Sequence, residues 1–255
     1  MKSIILAAGE GTRLRPYTLS RPKCMVEVGG RSLLDRQLDI LEAAGVEENI
    51  IVGGYLFDKL SKRGARYYEN PDYHKTNMVW TLFCAEEELQ GEIIISYGDI
   101  VYSLKNLRDL LECSSDIAVT IDLDWERYWH ARLEDPLSDA ETLKLTEKGT
   151  ILEIGKKPGS LDEIEGQYMG LMKFSPKGTE LLKTVFNELK DRGSIQGKPV
   201  EKAYMTDLLQ EMIGLGYTLQ SVPVRGGWIE VDTVNDLESD ITRTRLDSIE
   251  NNNLS

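Results

Sequence analysis

"LAAGEGTRLRP", residues 6–16, closes the apolar run Ser3-Ile4-Ile5-Leu6-Ala7-Ala8 with two glycines one residue apart, then a threonine and an arginine. A short Ile- and Ala-rich run that stops at glycine predicts a buried strand handing over to a loop. Neither common phosphate motif is present. The third glycine of a dinucleotide fingerprint would fall at Leu14, and no Lys-Ser or Lys-Thr pair completes a P-loop. Gly9 and Gly11 still let backbone amides turn inward on an anion, while Thr12 adds a hydroxyl and Arg13 a planar fork. A plain strand-to-helix turn uses the same residues; an anion nest is the reading favoured.

Outward from this loop, strand-like and helix-like segments alternate. "NIIVGG" (49–54), "EIIISY" (92–97) and "DIAVTI" (116–121) are short and apolar on both faces, as parallel strands between helix layers must be. "SLLDRQLDILEAAG" (32–45) sets Leu33, Leu34, Leu38, Leu41 and Ala44 on one stripe and stops at Gly45. "NMVWTLFCAEEELQG" (77–91) predicts a second helix ending at Gly91. Further strands are expected at 150–155, 166–174 and 217–224, with a helix opened by Ser175-Pro176 and a last one opened near Thr233, three residues before Asp236. The chain of 255 residues, 41% of them hydrophobic, is long enough for one α/β domain with a full core.

Charge narrows the partners. Acidic residues outnumber basic ones by 43 to 30, for a net charge of −13. That balance disfavours nucleic acid and anionic membrane surfaces, so an anionic ligand must be met by a local cluster of Lys and Arg. Cys24, Cys84 and Cys113 lack the close pairing of zinc or redox motifs and read as reduced thiols. No apolar stretch approaches bilayer length, and the opening segment is too short for a signal sequence, so a cytoplasmic protein is expected.

Ten residues after Arg13, Lys23 lies in "RPKCMVEVGG", placed to reach back over the loop or to sit in solvent as most lysines do. With it, "LAAGEGTRLRPYT" and "PKCMVEVGGRSLLDRQLDIL" closely resemble the opening signature of the sugar-phosphate nucleotidylyltransferases, an NTP transferase family, and within it the phosphocholine cytidylyltransferase-like branch. The resemblance continues to about residue 240. It implies a Rossmann-like three-layer α/β sandwich with a central mixed, mostly parallel sheet and a small acceptor-binding subdomain. The corresponding boundaries are one domain over 1–245, with an acceptor-side insertion at about 122–170, and a polar tail over 246–255.

The same resemblance implies the site. "SYGDIVY" (96–102) matches the segment whose aspartate binds Mg²⁺, here Asp99, and "GWIEVDTVNDL" (227–237) the second metal segment, here Asp232. Leu6, Ala7, Ala8, Gly9, Gly11, Thr12, Arg13, Lys23 and Asp99 would hold the nucleotide, with Thr76, Asn77 and Met78 of "KTNMVWTL" beside its base. "IGKKP" (154–158) stands where relatives contact the acceptor phosphate, through Lys157 or alternatively Lys156. Trp125, Tyr128 and Trp129, with Gln167, Tyr168 and Trp228, are the acceptor-side candidates. With the many carboxylates of residues 122–145, these would make an aromatic and acidic pocket suited to a cationic head such as choline, through cation–π contacts of about 0.5–2 kcal/mol each. Trp125 and Trp129, four apart, could equally cover a core edge as a helical pair.

The chemistry expected is attack by a phosphorylated acceptor on the α-phosphorus of CTP, with pyrophosphate leaving. No general base is required, since a phosphate monoester with second pKa near ~6 is already mostly dianionic at neutral pH. Mg²⁺, Arg13, Lys23 and Lys157 would offset the repulsion between the anions. His74 and His130 therefore read as surface or capping residues. A phosphonate, a phosphorylated amino acid, a sugar 1-phosphate with UTP or dTTP, a non-catalytic nucleotide-binding module and assembly as a homodimer all remain open at this point.

Overall fold

The computed structural model describes residues 1–60 and 64–253. Its centre is a seven-stranded sheet. In chain order the strands are β1 (Lys2–Ala7), β2 (Glu48–Gly53), β3 (Ala65–Glu69), β4 (Ile93–Tyr97), β6 (Ile117–Asp122), β9 (Gln167–Phe174) and β10 (Gln220–Val224). In space they run β10-β6-β9-β4-β1-β2-β3, and only β9 lies antiparallel to its neighbours. Between β4 and β6 comes a short strand, β5 (Ile100–Tyr102), which pairs antiparallel with β11 (Trp228–Glu230) as a separate ribbon.

Strand residues alternate between two cores. Ile5, Ala7, Ile51 and Ile94 face the helices α1 (Leu33–Ala43) and α3 (Leu104–Glu112). Ile4, Leu6, Ile50 and Ile95 face the helices α2 (Met78–Phe83), α5 (Pro176–Arg192) and α6 (Met205–Gly214). This two-sided burial is why the strands read as unbroken apolar runs. The helix starts follow their sequence signals: the Ser32 hydroxyl accepts from the Asp35 amide, Ser175 caps α5 with Pro176 at its first turn, and Thr233 and Asp236 form a reciprocal capping box on α7 (Val234–Glu238).

Three expectations are corrected. The segment 77–91 is helical only over Met78–Phe83, because the run Glu86–Glu88 forms a separate 3-10 turn. The strand expected at 150–155 is not in the central sheet; β8 (Ile151–Ile154) pairs instead with β7 (Leu143–Leu145) in a hairpin. The segment from 246 is not a loose tail: helix α8 (Asp240–Asn253) runs through it, with Leu246 and Ile249 buried in the core. Residues 254–255 lie outside the described residues.

The insertion between β6 and β9 carries α4 (Trp125–Arg132) and the β7–β8 hairpin. It has no core of its own: Trp125, Tyr128 and Trp129 join one central core, and Leu143, Ile151 and Ile154 join the other.

Candidate active site

A cleft of about 350 Å³ opens at the carboxyl ends of β1 and β4, where the sheet order reverses direction around β1. Its lining includes Leu6, Ala7, Ala8, Gly9, Gly11, Thr12, Arg13, Lys23, Thr76, Asn77, Met78, Asp99 and Asp232. The loop after β1 folds tightly because Gly11 takes a left-handed backbone, φ +62°, and a side chain there would meet Lys23 and Thr18 at 3.1 Å. The Thr18 hydroxyl donates to the Gly11 carbonyl at 2.9 Å, which fixes the turn.

Asp99 and Asp232 meet because of the β5–β11 ribbon. Its register sets Ile100 opposite Glu230, and the Val231 amide donates to the Asp99 carbonyl at 3.0 Å. Gln37 of α1 braces the other side, donating to the carbonyls of Tyr97 at 3.0 Å and Ile100 at 2.8 Å while accepting from the Ser96 hydroxyl. The two carboxylates then share one ammonium: Lys23 Nζ lies 2.5 Å from Asp99 Oδ2 and also donates to Asp232 Oδ1. Arg13 Nη2 donates to Asp232 Oδ2 at 2.7 Å.

Burial opposes the charge on Lys23, but Asp99 and Asp232 outweigh it and hold the ammonium above its usual range. Burial likewise disfavours ionised Asp232, yet Lys23 and Arg13 keep its carboxyl below the ordinary carboxylate range. Glu230 is pushed up to about 7, mainly by burial; Arg132 opposes the shift, and the charges of Asp232 and Asp99 add to it. Asp99 Oδ1 is buried without a hydrogen-bond partner.

Thr76 and Asn77 enter α2 at one end of the cleft. The Thr76 hydroxyl donates to the Asp72 carbonyl at 2.9 Å, and the Asn77 side-chain Oδ1 accepts from the Met78 amide at 3.1 Å. Met78, Tyr97 and Glu230 are shared with an adjoining cavity of about 200 Å³, which Trp129, Asp139, Glu141, Gln167, Tyr168, Tyr204 and Thr206 also line. Gln167 spends its amide on the backbone of Glu141, donating to its carbonyl at 2.5 Å and accepting from its N–H at 3.2 Å. Burial, reinforced by Asp207, pushes the Glu141 carboxyl up to about 7. Gly170 bulges β9 at φ +77°, where a Cβ would collide with the Tyr97 ring at 2.7 Å.

The remaining acceptor-side candidates lie elsewhere. Trp125, Tyr128 and Trp228 line neither cavity and are buried in the core. Tyr128 has Arg245 3.8 Å from its ring centroid and Arg132 at 5.1 Å, so guanidinium groups already cover it. The Trp228 indole N–H donates to Asp122 at 2.8 Å. Trp129 reaches the smaller cavity, and its indole N–H has no acceptor. Lys156 pairs with Glu153 and Lys157 donates to the Leu137 carbonyl; neither lines the cleft or the adjoining cavity.

Glu230 escaped the sequence reading, and Asp139 and Glu141 entered it only among the carboxylates of residues 122–145. The available signal was the density of acids in "EDPLSDAE" (134–141).

A glycine loop over converging acids, at the carboxyl ends of parallel strands, is the arrangement of a phosphate-handling α/β enzyme. Comparison with known proteins narrows that class. Residues 3–150 match the MobA-like NTP transferase domain, and the chain belongs to that family. It is 41% identical over 257 residues to the CTP:phosphoglutamine cytidylyltransferase of Campylobacter jejuni, covering 95% of this chain and 100% of that protein. It is 40% identical over 111 residues to a choline-phosphate cytidylyltransferase of Streptococcus pneumoniae, covering 42% of this chain and 48% of that one.

Two solved structures share the fold. The inositol-1-phosphate CTP transferase of T. maritima has a TM-score of 0.75 at 20% identity, covering 98% of this chain and 96% of that one. The CTP:phosphocholine cytidylyltransferase of Streptococcus pneumoniae has a TM-score of 0.73 at 23% identity, covering 98% of both chains. Among the described residues no helix is long and apolar enough to cross a membrane.

Proposed function

We propose that this protein transfers CMP from CTP to a phosphorylated small acceptor bearing an amino group, with release of pyrophosphate. The observation that carries this reading is the pairing of two spaces. One holds Asp99, Asp232, Lys23 and Arg13; the other, sharing a wall with it, is lined by Asp139, Glu141 and Glu230. A triphosphate suits the first, and an ammonium-bearing acceptor suits the acids of the second. The name of the 41%-identical relative, with phosphoglutamine as its acceptor, is consistent with an amino-acid phosphate.

An acceptor phosphate oxygen forms the new bond to the α-phosphorus while the bond to the bridging oxygen of pyrophosphate breaks. The acceptor is already ionised, so the residues have no proton to remove. Arg13 and Lys23 are the cations lining the cleft, and they orient phosphate oxygens and stabilise charge on the leaving pyrophosphate. Thr76, Asn77 and Met78 border the base, and the loop Gly9–Thr12 offers amide and hydroxyl donors to the phosphates.

A divalent cation fits the acids. Asp99 has an unpartnered buried oxygen, and its other oxygen already converges with Asp232 on a single positive charge. Among the described residues no group of three or more His, Cys, Asp or Glu could hold a metal alone. Mg²⁺ is usually held by one or two carboxylates together with substrate phosphates and water. Asp99 and Asp232 would hold it. When bound, Mg²⁺ supplies charge neutralisation of the triphosphate.

The test is a crossed screen of CTP, UTP, dTTP and ATP against phosphoglutamine, phosphocholine, 2-aminoethylphosphonate and glucose 1-phosphate, read as pyrophosphate release. CTP with an amine-bearing acceptor is expected to lead. Preference for UTP with the sugar phosphate would replace the cytidylyl reading, and silence across the panel would leave a nucleotide-binding module.

A further inference from the structure

A separate cavity of about 410 Å³ lies between α1, β5, α3 and the end of α8, and it shares no lining residue with the cleft or the acidic cavity. Ile40, Ala43, Val101, Leu104 and Ile249 give it apolar walls, the ion-paired Arg31 and Asp39 line it as well, and Arg36 stands among them with only 4% of its surface exposed. One terminal nitrogen of Arg36 donates to the Val28 carbonyl at 2.5 Å, and the other meets the Glu250 carboxylate at the cavity's edge. Nε and the nitrogen facing Glu250 are both buried without a hydrogen-bond partner, so Glu250 offers that nitrogen an ion-pair contact alone. The guanidinium therefore has one nitrogen hydrogen-bonded and two without a hydrogen-bond partner, and its ion pair is to a side chain more exposed than itself.

We propose that this cavity is an effector site for a small amphipathic carboxylate. The head group takes the place of Glu250 on Arg36, and the apolar body lies against Ile40, Val101, Leu104 and Ile249. A concave space with apolar walls and a few fixed polar groups is the usual make-up of a ligand pocket; Arg31 and Asp39 already pair with each other at its rim, and Arg36 offers a carboxylate charge-assisted hydrogen bonds.

The walls connect directly to the catalytic acids. Val101 follows Asp99 by two residues and pairs with Ile229, three residues before Asp232. Gln37, the neighbour of Arg36 on α1, holds the carbonyls of Tyr97 and Ile100 on either side of Asp99. A ligand that shifts Arg36 or Val101 thus acts on the same backbone that brings Asp99 to Asp232. By linkage, the ligand and CTP must change each other's affinity by the same factor.

The probes are octanoate and octanol, titrated calorimetrically into the full chain. Octanoate is expected to bind at one site per chain, at least about tenfold more tightly than octanol. Glu250→Gln removes the competing carboxylate and should tighten octanoate. Ala43→Phe narrows the space from an exposed position without touching Arg36, and should weaken octanoate at least about tenfold at unchanged melting temperature. Saturating octanoate should shift the CTP dissociation constant about fivefold in the parent chain and not in Ala43→Phe.

Equal binding of octanol, no binding at all, or no gain in Glu250→Gln would overturn the site. An unmoved CTP constant would overturn its role as an effector. The octanoate arm needs no turnover, so it stands or falls apart from the CMP-transfer reading on which only the CTP arm depends.

Discussion

Arg132 and Asp236 are joined along one edge of the guanidinium: Nε donates to Oδ1 at 2.8 Å and Nη2 to Oδ2 at 3.3 Å, with both side chains nearly inaccessible. Asp236 in turn accepts from the amides of Asp232 at 3.1 Å and Thr233 at 2.9 Å. The remaining Arg132 nitrogen donates to Glu230 at 2.7 Å. One side chain on the insertion helix α4 therefore holds the turn that carries Asp232. Arg132→Ala should cost about 3–5 kcal/mol, the usual result of leaving a buried charge unpaired. Arg132→Lys keeps the charge but loses the fork, and should lower kcat more than it raises the KM for CTP. Urea unfolding and steady-state kinetics check both; an unmoved unfolding midpoint in the alanine variant would show the fork to be idle.

Lys23 separates two carboxylates that would otherwise repel each other. Lys23→Met should cut turnover on the order of 100-fold or more, comparable to losing a preorganised donor at a reacting centre. Its ammonium titrates above the ordinary value of 10.5, so the stability it contributes is fully present below pH 10.5 and fades only as pH rises beyond that. Thermal melts of parent and variant between pH 7 and 10 should differ by a constant amount; a gap that closes below pH 10 would contradict the arrangement.

Asp232→Asn keeps an acceptor for Lys23 but deletes a charge. The fold should survive while turnover falls by about 100-fold or more, and calorimetric binding of Mn²⁺ in the presence of CTP should weaken in parallel. Normal Mn²⁺ affinity would remove Asp232 from the metal site.

Glu141 gives the acidic cavity a pH signature. In the fold it stays protonated up to about 7, whereas its ordinary value is 4.5, so the folded state loses stability as pH rises through that window. Glu141→Gln should lessen this decline, with Glu230 supplying the remainder. With an amine-bearing acceptor, KM should fall as pH rises through about 7 in the parent chain and fall less steeply in the glutamine variant. The same slope in both would assign the titration to another group.

The aromatic residues divide by placement. Trp228→Ala opens a fully buried site and should cost about 3–5 kcal/mol with no selective effect on either substrate. Trp129→Ala should raise the KM of the acceptor more than that of CTP, because its ring reaches the smaller cavity. Equal changes in both constants would mark Trp129 as packing only.

The parts legible in the sequence were those whose geometry is local. The loop from Gly9 to Arg13 is contiguous, so the glycines announce the turn and the following residues its chemistry. The β/α alternation shows through because two-sided burial leaves apolar runs that no solvent-facing strand would carry. The meeting of Asp99 with Asp232 was available only through family resemblance, since it depends on the register of β5 against β11, a pairing of segments far apart in the chain. Trp125, Tyr128 and Trp129 were ambiguous for a different reason: helical spacing shows that residues share a face without showing what that face meets. Glu141 lies in irregular chain where no period exists to read. Leu246 and Ile249, three apart amid polar residues, were a weak helical signal that composition alone concealed.

The hydrogen bond from Arg13 to Asp232 spans 219 positions of the chain. During synthesis the glycine loop emerges 219 positions ahead of its opposing acid, so a growing or clipped chain that stops before β11 carries half a pocket. Such a fragment leaves Lys23 with a single carboxylate and Arg13 without its acid. The two sides of the cleft thereby come together in chains that extend beyond β11.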